Sequence, residues 1–234
     1  MSTSRTGRPG RPGGPQDVLV YTRTAGYRHD SIPAAAAALT ELAADAGLSA
    51  ETTEDPGAFT ADRLARCAAV VLVSTTGTVL TDAGRAAFEA YVRGGGGLLA
   101  VHAAANAEPD WAFYGELLGT RFDGHPEIQP GTVHVDAHDH PATAGLPGRW
   151  DWTDEWYNFT SDPRATGVRV LARADETRYR GGTMGADHPL VWCRDATPDR
   201  GRVLFTALGH ATESYADPAF RSHLAGALRW VTGG

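Results

Sequence analysis

Four segments of the chain set a histidine or a carboxylate among small or aromatic residues: Tyr27-Arg28-His29-Asp30, Val101-His102-Ala103, Asp154-Glu155-Trp156-Tyr157 and Leu208-Gly209-His210-Ala211-Thr212-Glu213. Gly124-His125-Pro126 is a fifth. An imidazole titrates near neutrality, so such groups can act as general acid and base. Two or three histidines with a glutamate also form a ligand set for zinc, manganese or another divalent ion. There is no HExxH motif and no tight ligand spacing, so both chemistries stay open. His102, His210, Glu155 and His29 are the expected catalytic groups, with His102, His210 and Glu155 doubling as metal ligands. Trp156 and Tyr157 are expected to wall a ring-shaped ligand, and Tyr27, Arg28, His125 and Asp154 to contact it. The backbone of Gly181-Gly182-Thr183-Met184-Gly185 can approach the same ligand, which makes Met184 a further expected contact.

What the chain lacks narrows the chemistry further. It contains no lysine, and its 21 basic residues are all arginine. Schiff bases, covalent pyridoxal phosphate and a Walker-type phosphate lysine are therefore excluded. Arginine cannot replace that lysine, because its guanidinium stays protonated and is a poor nucleophile. Glycine loops without a following helix and lysine are poor phosphate sites, so no nucleotide is expected. Cys67 and Cys193 lie far apart with no CxxC spacing and read as buried thiols in a reducing cytoplasm. The net charge of −7 argues against nucleic acid or an anionic membrane as partner. No apolar run approaches the roughly 20 residues of a membrane helix. A homo-oligomer is left open.

These groups must be positioned by alternating strands and helices. Asp17 to Thr22 reads as a buried strand, and Asp30 or Ser31 caps a helix that Gly47 ends. Ala69 to Val73 is a second strand, and Thr81 caps a helix ending near Arg93. The glycines Gly94 to Gly97 then lead into the strand Leu98 to Val101, which delivers His102 into a turn of alanines. This order predicts a parallel sheet with helices on both faces, whose strand ends bind ligands. Thr132 to Val135 and Val168 to Ala172 read as further strands. Pro189 to Trp192 and Arg202 to Leu208 flank a turn-rich segment and read as a hairpin. Asp217-Pro218 starts a last helix that runs to about Trp230 and holds His223 as a structural residue. His134, His138 and His140 read as part of a solvated loop. Residues 1–16, rich in Arg, Gly and Pro, read as a disordered tail without the apolar core of a secretory signal. Residues 17–234 read as one domain.

The motifs Gly26-Tyr27-Arg28-His29-Asp30-Ser31-Ile32, Gly95-Gly96-Gly97-Leu98-Leu99-Ala100-Val101-His102-Ala103, Asp154-Glu155-Trp156-Tyr157, Gly181 to Pro189 and Leu208-Gly209-His210 occur in this order. In this the chain resembles the ThuA-like (trehalose-utilisation) family of the class I glutamine amidotransferase-like superfamily. The resemblance spans roughly Val18 to Val231. It implies a flavodoxin-like three-layer sandwich with a mostly parallel central sheet. It also implies a link to disaccharide catabolism through trehalose or oxidised 3-keto sugars. The elbow cysteine of true amidotransferases would fall at about His102, and their His-x-Glu pair is matched only by the longer His210-Ala211-Thr212-Glu213. Without the thiol there is no acyl-enzyme, so glutaminase activity is not expected.

The expected function is therefore a sugar-processing enzyme, a hydrolase, lyase or isomerase working without a covalent intermediate. His29 and His125 would polarise a hydroxyl or carbonyl. The alternatives are a plain metal-assisted hydrolase, in which a bound water attacks, and a noncatalytic carbohydrate-binding or sensing module that needs only the aromatic wall.

Overall fold

Every residue of the strand Cys67–Val73 is buried, and so is every residue of Gly97–Val101. Unbroken apolar runs of this kind form where both faces of a sheet are covered. The computed structural model describes residues 17–233, so the expected tail at 1–16 lies outside the described residues. In chain order the elements are β1 (Asp17–Tyr21), α1 (Ile32–Asp45), β2 (Ser49–Thr53), α2 (Ala61–Leu64), β3 (Cys67–Val73), α3 (Asp82–Arg93), β4 (Gly97–Val101), α4 (Ala112–Leu118), β5 (Phe122–Gly124), β6 (Gln129–Val135), β7 (Arg149–Asp154), β8 (Asn158–Phe159), β9 (Arg169–Ala174), β10 (His188–Arg194), β11 (Val203–Thr206) and α5 (Pro218–Thr232).

Among the described residues the main sheet has nine strands in the order β2-β1-β3-β4-β11-β10-β9-β6-β7. The first five run parallel, and every pairing from β11 onward is antiparallel. The parallel half is the α/β core that the sequence predicts, and the rest makes the sheet mixed. From β1 the chain crosses through α1 to β2 on one side, then builds β3 and β4 on the other. Right-handed crossovers in opposite directions put α1 and α3 on opposite faces, which gives the three layers. The reversal between β1 and β3 is the switch point at which α/β sheets bind ligands.

The helices follow from their sequences. In α1 the buried residues Ile32, Ala35, Ala38, Leu39 and Leu42 recur on one face and pack beside α5. Ser31 occupies the N-cap position but its side chain makes no cap; its hydroxyl points at the Gly209 carbonyl, 3.5 Å away. Thr81 and Asp217 do cap α3 and α5, accepting from Gly84 N–H (3.0 Å) and Phe220 N–H (2.9 Å). The expected hairpin is the antiparallel pair β10 and β11. Two strands of the main sheet, and the short pair β5 and β8 outside it, have no counterpart in the sequence reading. β2 is a polar edge strand, and β7 alternates Trp150 and Trp152 inward with Arg149 and Asp151 outward. His140 also departs from expectation, being buried against Trp230 rather than solvated.

The antiparallel half explains the site. Two reversals from β11 to β9, and two more from β9 to β7, leave β7 pointing the same way as β1, β4 and β11. Its last residue therefore reaches the same edge of the sheet. A flat sheet would hold β7 about 19 Å from β11, at roughly 4.8 Å per strand. Yet the Asp154 carboxylate accepts from Gly209 N–H at 2.9 Å, and Trp150 and Trp152 pack on Phe220 of α5. The sheet thus curls so that its far strand closes over the end of β11.

Candidate active site

His29 follows β1, His102 follows β4, Glu155 follows β7 and His210 follows β11, so all four stand at the carboxyl edge. One ligating atom from each lies within 4.8 Å of the others. His102 Nε2 is 3.2 Å from His29 Nε2 and 3.3 Å from Glu155 Oε2. His29 Nε2 is 3.6 Å from the same oxygen, and His210 Nδ1 is 3.2 Å from Glu155 Oε1. The structure brings all four expected catalytic groups together, including the three expected metal ligands.

Each group is held by identifiable local structure. His102 sits at φ 54°, a left-handed conformation costly for a residue with a Cβ, at the sharp turn leaving β4. Its Nδ1–H donates to the Ala207 carbonyl at 2.7 Å, which leaves the Nε2 lone pair facing the cluster. The His29 loop is fastened to the loop after β3. Ala25 N–H donates to the Thr76 carbonyl (2.7 Å), and the Thr76 hydroxyl accepts from Gly26 N–H and donates to the Tyr27 carbonyl. Gly209 has φ 116°, and a Cβ there would lie 2.7 Å from the Tyr215 hydroxyl oxygen, so the turn before His210 requires glycine.

The electrostatics set the three imidazoles against one carboxylate. Burial pushes the Glu155 carboxyl up, but the close approach of the His102, His210 and His29 imidazoles outweighs it and holds the group well below the usual carboxylate range. Burial lowers the His29 pKa, and the Glu155 contact offsets only part of that. The neighbouring Glu155 carboxylate raises the His210 pKa against the effect of burial. His210 Nδ1 is misaligned for a hydrogen bond with that carboxylate despite its closeness, and His29 Nδ1 is also without a hydrogen-bond partner.

The expected ligand-contacting residues divide. His125 stands at the rim, a third exposed, with Nε2 3.5 Å from Glu155 Oε1 and Nδ1–H donating to the Pro126 carbonyl. Tyr27 is exposed and meets His29 edge-on at 4.8 Å. Four expectations need correction, those for Trp156, Asp154, Arg28 and Tyr157. Trp156 is fully buried, its indole N–H donates to the Gln129 carbonyl and its ring stacks on Tyr179, so no face is free for a ligand. Asp154 is buried with both oxygens used, accepting from Trp152 Nε1–H, Gly209 N–H, Glu155 N–H and His210 N–H. Arg28 turns away and pairs with Glu54 at 2.7 Å. Met184 packs beside the core and its sulfur accepts from Phe159 N–H.

Tyr157 is buried too, and lies within the cluster rather than forming a wall. Its ring stacks on His102 at 4.5 Å and its hydroxyl is 2.9 Å from His102 Nε2. His188 Nε2–H holds the Tyr157 carbonyl at 2.7 Å, while Tyr179 and Glu176 engage His188 Nδ1. Sequence reasoning missed Thr76 and His188 as positioning residues. Thr76 lies in the polar turn after the β3 run, and that position was the available signal. His188 opens β10 and lies within the Gly181 to Pro189 motif, and that membership was its available signal.

Both cysteines, Cys67 at the start of β3 and Cys193 near the end of β10, belong to the opposite edge of the sheet. A broad groove of about 570 Å³ runs along β6 and β7, lined by Thr132, Arg149, Trp152 and Asp217 among others, and includes none of the four groups.

Comparison with known proteins agrees with this architecture. A ThuA-like protein of Bacteroides uniformis superposes with a TM-score of 0.77 at 26% identity, covering 96% of this chain and 95% of that one. One from Parabacteroides merdae gives 0.74 at 21% identity, over 94% and 91%. The glutaminase domain of a Trypanosoma brucei CTPS, solved with bound acivicin, shares the fold at 0.55 and 10% identity, over 92% and 94%. No curated protein matches the chain. The family model described as trehalose utilisation matches residues 17–231, and the chain belongs to that family, ThuA, with a class I glutamine amidotransferase-like fold.

Proposed function

We propose that this chain is a cytoplasmic sugar-processing enzyme of carbohydrate catabolism. It acts on trehalose, a related disaccharide or a 3-keto-glycoside by hydrolysis, elimination or isomerisation, without a covalent intermediate. One observation carries the reading: three imidazoles and a carboxylate converge at an elbow where His102 stands and no thiol is near. Such a set moves protons or holds a cation, and has no means of forming an acyl-enzyme. The trehalose-utilisation description of the family supports the substrate class.

A 3-keto-glycoside suits these groups. Its C2 proton is acidic because the neighbouring C3 carbonyl stabilises the carbanion. A base of the cluster takes that proton, the electron pair forms the C1–C2 double bond, and the C1–O bond breaks. The leaving oxygen receives a proton from the conjugate acid of a second group. His102, whose Nε2 presents its lone pair to the cluster, is suited to the base role, with the Glu155 carboxylate beside it to hold the imidazolium it becomes. His210, partly exposed, is suited to the acid role. His125 and Tyr27 at the rim would contact the ring. A purely binding module is less well supported, since Trp156 offers no face to a ligand.

The test is incubation of the purified protein with trehalose, 3-keto-trehalose and related glycosides, with and without divalent metal. We expect the keto-sugar to be consumed, and His102→Ala to lower turnover by roughly 10²- to 10⁴-fold. Unchanged turnover in that variant, or no consumption of any of these sugars, would overturn the reading.

A further inference from the structure

We propose that His29, His102, Glu155 and His210 form a binding centre for one first-row divalent transition-metal ion. The inference concerns the cluster to which the sugar chemistry is assigned, but it does not depend on the sugar.

The argument begins with protons. His102 spends its Nδ1–H on the Ala207 carbonyl, so its Nε2 is a lone pair. The Tyr157 hydroxyl can donate to that lone pair, at 2.9 Å. His29 Nε2 faces the same atom at 3.2 Å, and its separation from Glu155 Oε2 is 3.6 Å, beyond a good hydrogen bond. His210 Nδ1 approaches Glu155 without hydrogen-bond alignment. Hydrogen bonds therefore leave this buried set of donor atoms incompletely paired, and a single cation among them would satisfy all four.

The spacing fits that ion. With metal–ligand bonds of about 2.0–2.1 Å, the edges of a tetrahedron are roughly 3.3–3.4 Å. The separations of His102 Nε2 from His29 Nε2 and Glu155 Oε2, 3.2 and 3.3 Å, lie close to such edges, and His29 Nε2 to that oxygen is 3.6 Å. His210 Nδ1 is 3.2 Å from the other oxygen, Oε1, with the four ligating atoms within 4.8 Å of one another, so His210 would move inward to close the set. Three nitrogen donors out of four disfavour calcium and magnesium, which take oxygen ligands. A set of imidazoles and one carboxylate without thiolate suits zinc, manganese or iron(II). The outer partners are also those of a metal site: a carbonyl fixes the His102 tautomer, and Asp154 holds the backbone amides of Glu155 and His210.

The experiment is metal analysis by mass spectrometry, after the chain is stripped with a chelator and dialysed against zinc or manganese chloride. We expect about one ion per chain in the native sequence and in His138→Ala, whose histidine is exposed and remote in role. Glu155→Gln and His102→Ala should each retain less than a tenth of that. His210→Gln, at the half-exposed position, keeps the test open if either buried variant fails to fold, as judged by circular dichroism. Cobalt(II) should give the intense visible absorption of a low-coordinate centre in the native chain and not in Glu155→Gln. Sub-stoichiometric uptake by the native chain, or equal uptake by folded Glu155→Gln, overturns the metal centre. Stoichiometric metal without turnover of any sugar would instead overturn the proposed function.

Discussion

Replacing Asp154 by Asn changes one atom and should unfasten the site from the fold. The carboxylate accepts four hydrogen bonds, two on each oxygen: Trp152 Nε1–H and Gly209 N–H at 2.9 Å on Oδ2, Glu155 N–H at 2.9 Å and His210 N–H at 3.3 Å on Oδ1. Whichever way the amide is turned, its NH₂ faces two donors, so two bonds are lost and two donor–donor contacts appear. Hydrogen bonds to charged groups are worth about 1.5–3 kcal/mol each, which sets a loss of roughly 3–6 kcal/mol. Local relaxation should bring this to the lower end, about 3 kcal/mol. For a protein of this size that corresponds to a Tm drop of roughly 6–12 °C. Thermal and urea unfolding of both proteins measures the loss. Metal retention or sugar turnover in the folded variant then reads the displacement of Glu155 and His210. A loss under about 1 kcal/mol with both readouts unchanged would refute the idea that Asp154 ties β7 to the end of β11.

Two other effects should be seen. His140 and His223 are buried, and burial pushes each down from 6.5 to about 4. Because the folded state disfavours the proton, their stabilisation is complete above pH 6.5 and is lost as pH falls toward 4. The loss is about 3 kcal/mol for each by linkage, and urea midpoints across that window should show it; a flat profile would contradict the burial argument. Gly226→Ala should destabilise although alanine favours helix by about 1 kcal/mol, because a Cβ there runs into the Pro141 carbonyl. A Tm equal to or above that of the native chain would refute this.

The parallel half of the fold, apart from its polar edge strand β2, was legible because its strands are unbroken apolar runs and its helices carry Thr, Asp and Pro at their starts. β7 was not, although Trp150-Asp151-Trp152-Thr153 alternates as an edge strand does, because its tryptophans find their partner, Phe220, only across the curled sheet. The four site residues could be picked out by type and by their place after strands or beside aromatics. The assignment of neighbours failed where a motif looked uniform. Asp154, Trp156 and Tyr157 flank Glu155, and alternation around a tight turn sends them to different tasks: anchoring, core packing and support of His102. Only tertiary contacts separate those roles.

The curl of the sheet also has a consequence for how the protein is made. The four groups come from loops spread between residues 29 and 210, and the Ser31–Gly209 contact beside them bridges 178 positions. Pairings this remote carry a high closure cost and delay folding. A partly folded chain therefore holds the histidines but no centre. Any ligand that needs all four adds its binding free energy to the finished structure alone, by RT ln(1 + [L]/Kd). Occupancy would then act as a latch on completed folding, protecting the chain from proteolysis through the population of its open forms.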